Sequence, residues 1–190
     1  KSWDISFDLK ELSQLITNEN HYHKIKELET KTVKDFLLEK KEILKSQKKL
    51  EGEIMKEVSL CQERINATGR ELGFSRNSFP GFLIKLKNKE FQNNNLVSIK
   101  KLFQKDAIIT KKGASSNQEV LSELMPKLLA SFNKIEQKLY KWQTLKAFSN
   151  SIVPLSLLTQ IKRISKEIQK EKSEILISEF NQIINEEIKG

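Results

Sequence analysis

The chain has 190 residues, 37% apolar and 31% charged, with a formal net charge of +9. That length suffices for one domain with a real core, but the polarity suits long helices with a solvated side better than a compact globule. Six glycines and three prolines leave too little turn chemistry for an all-β fold, and no apolar run approaches the ~20 residues of a membrane span.

In chain order, Asp8-Leu9-Lys10-Glu11 has capping-box spacing and opens a short helix carrying Leu9, Leu12, Leu15 and Ile16. Asn18-Glu19-Asn20 ends it, and Tyr22, Ile25 and Leu28 mark a second short helical stretch. Thr32 caps a long helix over 32–72, whose apolar positions include Val33, Leu37, Leu44, Leu50, Ile54, Val58, Cys61, Ile65 and Leu72, with Gly73 as its stop.

The segment between Gly73 and Gly113 is the least regular. It combines a turn at Pro80-Gly81, a short apolar helix from Phe82 to Leu86, a break at 92–95 and another short helix through Leu96, Ile99, Leu102 and Phe103. Residues 111–117, KKGASSN, read as a solvated loop.

Ser116-Asn117-Gln118-Glu119 is a second capping box, followed by the clearest apolar seam of the chain: Leu121, Leu124, Leu128, Phe132, Ile135, Leu139, Trp142 and Leu145. Pro126 is expected to kink or restart this helix, because proline removes a backbone hydrogen bond. A break at Asn150-Ser151 and a new helix from Pro154, through Leu155, Leu158, Ile161, Ile164 and Ile168, should follow. Ser178 caps a closing helix with Phe180, Ile183, Ile184 and Ile188 on its apolar side. The expected fold is all-α: an elongated bundle of two long antiparallel helices (32–72 and 118–149), short helices at the tip between them, and no confident strand.

Several chemistries lack their residues. No GxxxxGK[ST] cradles a phosphate, no CxxC is present, and His21 and His23 have no ligand partners nearby in sequence, so no metal or cofactor site is expected. Cys61 is too solitary for a disulfide, fits a reducing cytoplasm and reads as a small core residue. No nucleophile–base arrangement stands out, so no catalytic residue is assigned.

Charge placement offers the one functional signal. Ten basic residues fall within 70–112, namely Arg70, Arg76, Lys85, Lys87, Lys89, Lys100, Lys101, Lys105, Lys111 and Lys112, opposed only by Glu71, Glu90 and Asp106. A basic irregular tip of this kind neutralises phosphates and gives salt-dependent, largely sequence-independent nucleic-acid affinity. All of the ten except Lys89 are assigned as DNA-contact candidates. Phe74, Phe79 and Phe82 interleave with Arg76 and Lys85, an arrangement suited to stacking on bases or wedging at a duplex end; equally, they suit plugging the end of the bundle.

The terminal stretches carry a resemblance. ILISEFNQIINEEIKG (175–190) resembles the segment ahead of the Walker B strand in superfamily 1A helicases of the UvrD/RecB kind, most of all the AddA-type helicase–nucleases of Bacteroidetes. KSWDISFDLKELSQLITNEN (1–20) looks like the same proteins just after their early helicase motifs, and KLYKWQTLKAFSNSIVPLSLLTQI (138–161) is similar too. The resemblance implies that residues 1–190 are a single 1B-type helical insertion excised from a larger ATP-dependent DNA helicase or exonuclease of DNA recombination and repair. A start without methionine or signal peptide, and a closing helix that runs to the last residue, fit that expectation.

The resemblance further implies ATP and Mg in the parent, outside this chain. Its implied partners are DNA at a single-strand/duplex junction, the remainder of the helicase and a second helicase–nuclease subunit. The competing expectation is a structural or protein-interaction helical module without direct DNA contact.

Overall fold

A computed structural model describes residues 28–75, 79–92, 95–173, 175, 180, 181, 183, 184, 187 and 188. The two helical stretches expected before residue 28 apart from Leu28, His21, His23, Arg76 and the Ser178 cap lie outside the described residues. The chain is all-α, and its described residues include five helices with defined bounds: α1 (Val33–Ala67), α2 (Phe79–Lys87), α3 (Leu96–Gln104), α4 (Lys111–Ser116) and α5 (Gln118–Lys172). Among the described residues there is no strand, only an isolated antiparallel bridge between Phe74 and Ile109. None of their helices is long and apolar enough to cross a membrane.

The chain divides into two compact units, Leu44–Ala147 and the described residues on either side of it. In the central unit α1 and α5 pack antiparallel, as their cross-links show. Arg64 donates to Ser131 Oγ at 3.0 Å, Lys134 faces Glu57 at 3.8 Å, Lys138 pairs with Glu53 at 3.2 Å, and Trp142 Nε1 donates to Glu51 at 3.0 Å. As the α5 number rises, the α1 number falls. Seven of the eight seam residues, Leu121 through Trp142, are buried, and they meet Ile54, Val58 and Cys61 of α1 in one core. Burial pushes the Cys61 thiol up to about 11, so it behaves as a small apolar filler rather than a nucleophile.

α2 and α3 fold back along this pair. Phe79, Phe82, Phe103 and Phe132 form an aromatic cluster, with ring centroids 5.0 Å apart for Phe103 and Phe132 and 5.4 Å for Phe79 and Phe103. Further along α5, the Phe91 ring lies 5.2 Å from that of Trp142. The residues following α1 are stapled to those preceding α4: Thr110 N donates to Gly73 O and Ser75 N to Ile108 O, both at 2.9 Å. Glycine is required at this crossing. A Cβ on Gly113 would lie 2.5 Å from Leu72 O, and Gly73 has φ +67°.

The outer unit holds the start of α1 and the end of α5. Thr32 and Asp35 cap α1 reciprocally: Asp35 N donates to Thr32 Oγ1 at 3.3 Å, and Thr32 N to Asp35 Oδ2 at 2.8 Å. Among its described residues, Phe36, Ile152 and Leu158 are the buried apolar side chains.

Several local expectations need correction. α1 ends at Ala67 rather than 72, because Gly69, with φ +59°, already supplies the left-handed stop. Val33, Leu37 and Leu44 are exposed, and Phe36 carries the buried side instead. Residues 111–116 are helical, since the Thr110 hydroxyl accepts from Gly113 N and caps α4. Pro80-Gly81 is not a turn but lies in the first turn of α2, where a missing N–H costs nothing. α5 runs unbroken through Pro126, Asn150-Ser151 and Pro154. Phe180, Ile183, Ile184 and Ile188 are helical but exposed.

Candidate nucleic-acid interface

The described basic residues of 70–112 are strung along the central unit at three levels of α5. Arg70 adjoins Glu71, whose carbonyl accepts from Asn117 Nδ2 at 3.2 Å, just ahead of α5. Lys111 and Lys112 occupy the first turn of α4, at the same end. Lys100 and Lys101 belong to α3 and Lys105 caps its C-terminus, opposite Phe132 and Glu136. Lys87 ends α2 and Lys89 follows it, both ahead of Phe91, at the level of Trp142. From Gln118 to Trp142 the α5 axis advances by about 36 Å. The charge is therefore spread along the length of the central unit rather than gathered at a point.

The local chemistry divides these residues. Lys100 pairs with Glu136 at 2.8 Å, and that hydrogen bond and charge hold its ammonium above the ordinary lysine range. Lys85 is half-buried and donates to Asn95 Oδ1 at 3.3 Å. Both are committed to internal partners. By contrast Arg70, Lys87, Lys89, Lys101, Lys105, Lys111 and Lys112 are exposed, with no ion pair among the described residues. Lys87, Lys101 and Lys105 lie at helix C-termini, where a cation complements the backbone dipole. Lys111 and Lys112 stand against the dipole of α4, so helix stability does not account for them.

The aromatic residues resolve in one direction. Phe79 and Phe82 are 0% and 1% exposed, so they plug the core and do not stack on bases. Phe74 is half-buried against the same core and bridged to Ile109. Phenylalanine beside lysine in sequence gave no sign of which of the two readings held, because burial here is decided by Phe103 and Phe132, far along the chain. The exposed aromatic of this unit, among the described residues, is Tyr140, at 47%.

The outer unit contains a charged cluster that periodicity did not reveal. Glu29 accepts ion pairs from Lys162 at 2.8 Å and Lys166 at 2.7 Å, and the Lys162 side chain is only 3% exposed. Burial alone would raise the Glu29 carboxyl, but the two lysine contacts outweigh it and hold it below the usual carboxylate range. A cavity of about 440 Å³ beside the cluster is lined by Thr32, Lys34, Thr159 and Arg163 among others. Among the described residues, no three His, Cys, Asp or Glu side chains gather as a metal site.

The chain matches no family model, no curated protein and no solved structure.

Proposed function

We propose that this chain is a DNA-contacting helical arm, the 1B-type accessory subdomain of an ATP-dependent DNA helicase or helicase–nuclease of the UvrD/RecB kind, acting in DNA recombination and repair. The observation that carries the DNA contact is the set of seven exposed basic side chains without ion-pair partners among the described residues, opposed within 70–112 only by Glu71, Glu90 and Asp106. Spread over about 36 Å of α5, they match about ten base pairs of duplex, in which one phosphate charge recurs every ~1.7 Å. With Phe79 and Phe82 in the core, contact with duplex is through backbone phosphates, which position without reading sequence. ATP and Mg belong to the rest of the parent protein, and no residue here is assigned to either. The rest of the helicase and a second helicase–nuclease subunit are the other proposed partners, in the cytoplasm.

Fluorescence-anisotropy binding to a forked DNA at two salt concentrations tests this. The wild-type chain should bind weakly and lose affinity as salt rises. The combined variant Lys101→Glu, Lys105→Glu, Lys111→Glu and Lys112→Glu should abolish binding while a cooperative melting transition shows that the fold is retained. No wild-type binding at low salt would leave the alternative: a structural or partner-docking helical module.

A further inference from the structure

Between α3 and α5 lies an open groove of about 290 Å³, lined by Gln92, Asn95, Val97, Ser98, Tyr140 and Gln143. We propose that this groove receives an unpaired base of single-stranded DNA, with the Tyr140 ring as its stacking platform. The inference rests on the DNA reading above and adds to it the strand form and the residue that grips it.

Three observations carry it. Tyr140 keeps 47% of its surface exposed, whereas the phenylalanines and the tryptophan of the central unit are buried or half-buried. An aromatic ring left in water offers a face to any base, and base–ring stacking tolerates every sequence. The polar lining is made of amides and a hydroxyl (Gln92, Asn95, Gln143 and Ser98), which are donor–acceptor groups suited to the base edges that unpairing exposes.

The exposed cation beside the groove suits the strand's backbone. Lys85 and Lys100 at the rim are held by Asn95 and Glu136 and support the groove's wall rather than grip the strand. Lys101 follows Val97 by one helical turn and is exposed. Of the nearby carboxylates, Glu136 is already held by Lys100, and Glu90 lies on the exposed turn after α2. The groove's volume falls at the small end of the ligand-site range, which suits one base rather than a stacked pair. A duplex, whose bases are stacked internally, has nothing to place there.

The test compares Tyr140→Ala and Tyr140→Phe with the wild-type 190-residue chain. Each binds a labelled thymidine 20-mer and a blunt duplex of the same length, in the same salt. Tyr140→Ala should weaken single-strand binding by between about fivefold and a hundredfold. It should leave duplex binding within about twofold, and Tyr140→Phe should behave as wild type. Equal losses on both DNAs, or no loss on the single strand, overturn the groove while leaving the phosphate-contact reading intact. Duplex binding by the wild type with no single-strand binding does the same. Failure to bind either DNA overturns both readings.

A second measurement needs no variant: a thymidine 20-mer carrying 2-aminopurine is titrated with wild type. Stacking on the ring lowers the probe's emission. Emission unchanged at saturation overturns the proposal.

Discussion

Lys100 and Glu136 face each other at 2.8 Å, tying α3 to the middle of α5. Glu136 is 9% exposed, so its carboxylate depends on this ammonium for compensation. One of three consecutive levels of positive charge is thereby partly spent on the fold itself. Lys100 and Lys101 are neighbours in sequence with different work to do. Lys100→Met should lower the melting temperature and leave the salt slope of DNA binding unchanged. Lys101→Met should leave the melting temperature alone and reduce that slope by about one contact's worth, ~0.9. Circular-dichroism melts and anisotropy titrations separate the two. The reverse pattern would mean that the pair forms no part of the fold.

The Glu29 cluster sets an acid limit on stability. The folded carboxyl lies below its ordinary value of 4.5, because Lys162 and Lys166 outweigh the cost of its burial. A carboxyl with a depressed folded value stabilises fully above its unfolded value. The contribution is lost as pH falls through the folded one. Stability should therefore hold at neutral pH and decline below about pH 4.5. Glu29→Gln should flatten that acid limb and lower stability at pH 7, because the carboxylate's pairing with Lys162 and Lys166 is lost. Urea midpoints measured between pH 3 and pH 7 would show it.

Two glycines should respond in opposite directions. Gly52 lies in α1 with nothing within 4 Å of where a Cβ would stand, so Gly52→Ala should stabilise by about 0.5–1 kcal/mol through helix propensity. Gly113 meets Leu72 O at 2.5 Å from the position of a Cβ, so backbone must move to admit alanine. Gly113→Ala should destabilise by about 1–3 kcal/mol, as overpacking does. Chemical denaturation reads both, and a neutral Gly113→Ala would show that the Gly73–Gly113 crossing is loose.

What the sequence made legible was the periodic part. The seam from Leu121 to Trp142 reads directly as a buried helical side, because one turn repeats the same environment for every member. The Thr32 cap is equally local, since Thr32 and Asp35 are three residues apart. Phe36 was missed because Val33 and Leu37 satisfy the same spacing, and only tertiary packing chooses among them. The candidate site was legible as charge but not as geometry. Composition does not distinguish Lys100, which faces Glu136 from 36 residues away, from Lys101, which faces water. Tyr140 carries no local signal either, because it follows Leu139 of the buried seam by one residue and is exposed only by the turn of the helix.

Pro126 is the clearest conflict between local preference and the fold. It lies in the ninth position of α5, past the first turn, so its missing N–H leaves the Ser122 carbonyl without its helical donor. Helix-interior proline costs about 3 kcal/mol, yet α5 continues to Lys172. The buried residues on either side, Leu124 and Leu128 at 6% and 0% exposure, hold the helix across the defect. Pro126 itself is exposed, so alanine opens no buried cavity there. Pro126→Ala should therefore stabilise the central unit, by up to about 3 kcal/mol, and leave DNA binding unchanged. Thermal and urea unfolding of the single variant decide it. A loss of stability would instead mean that Leu121 and Leu124 reach the core only because proline bends the helix ahead of them.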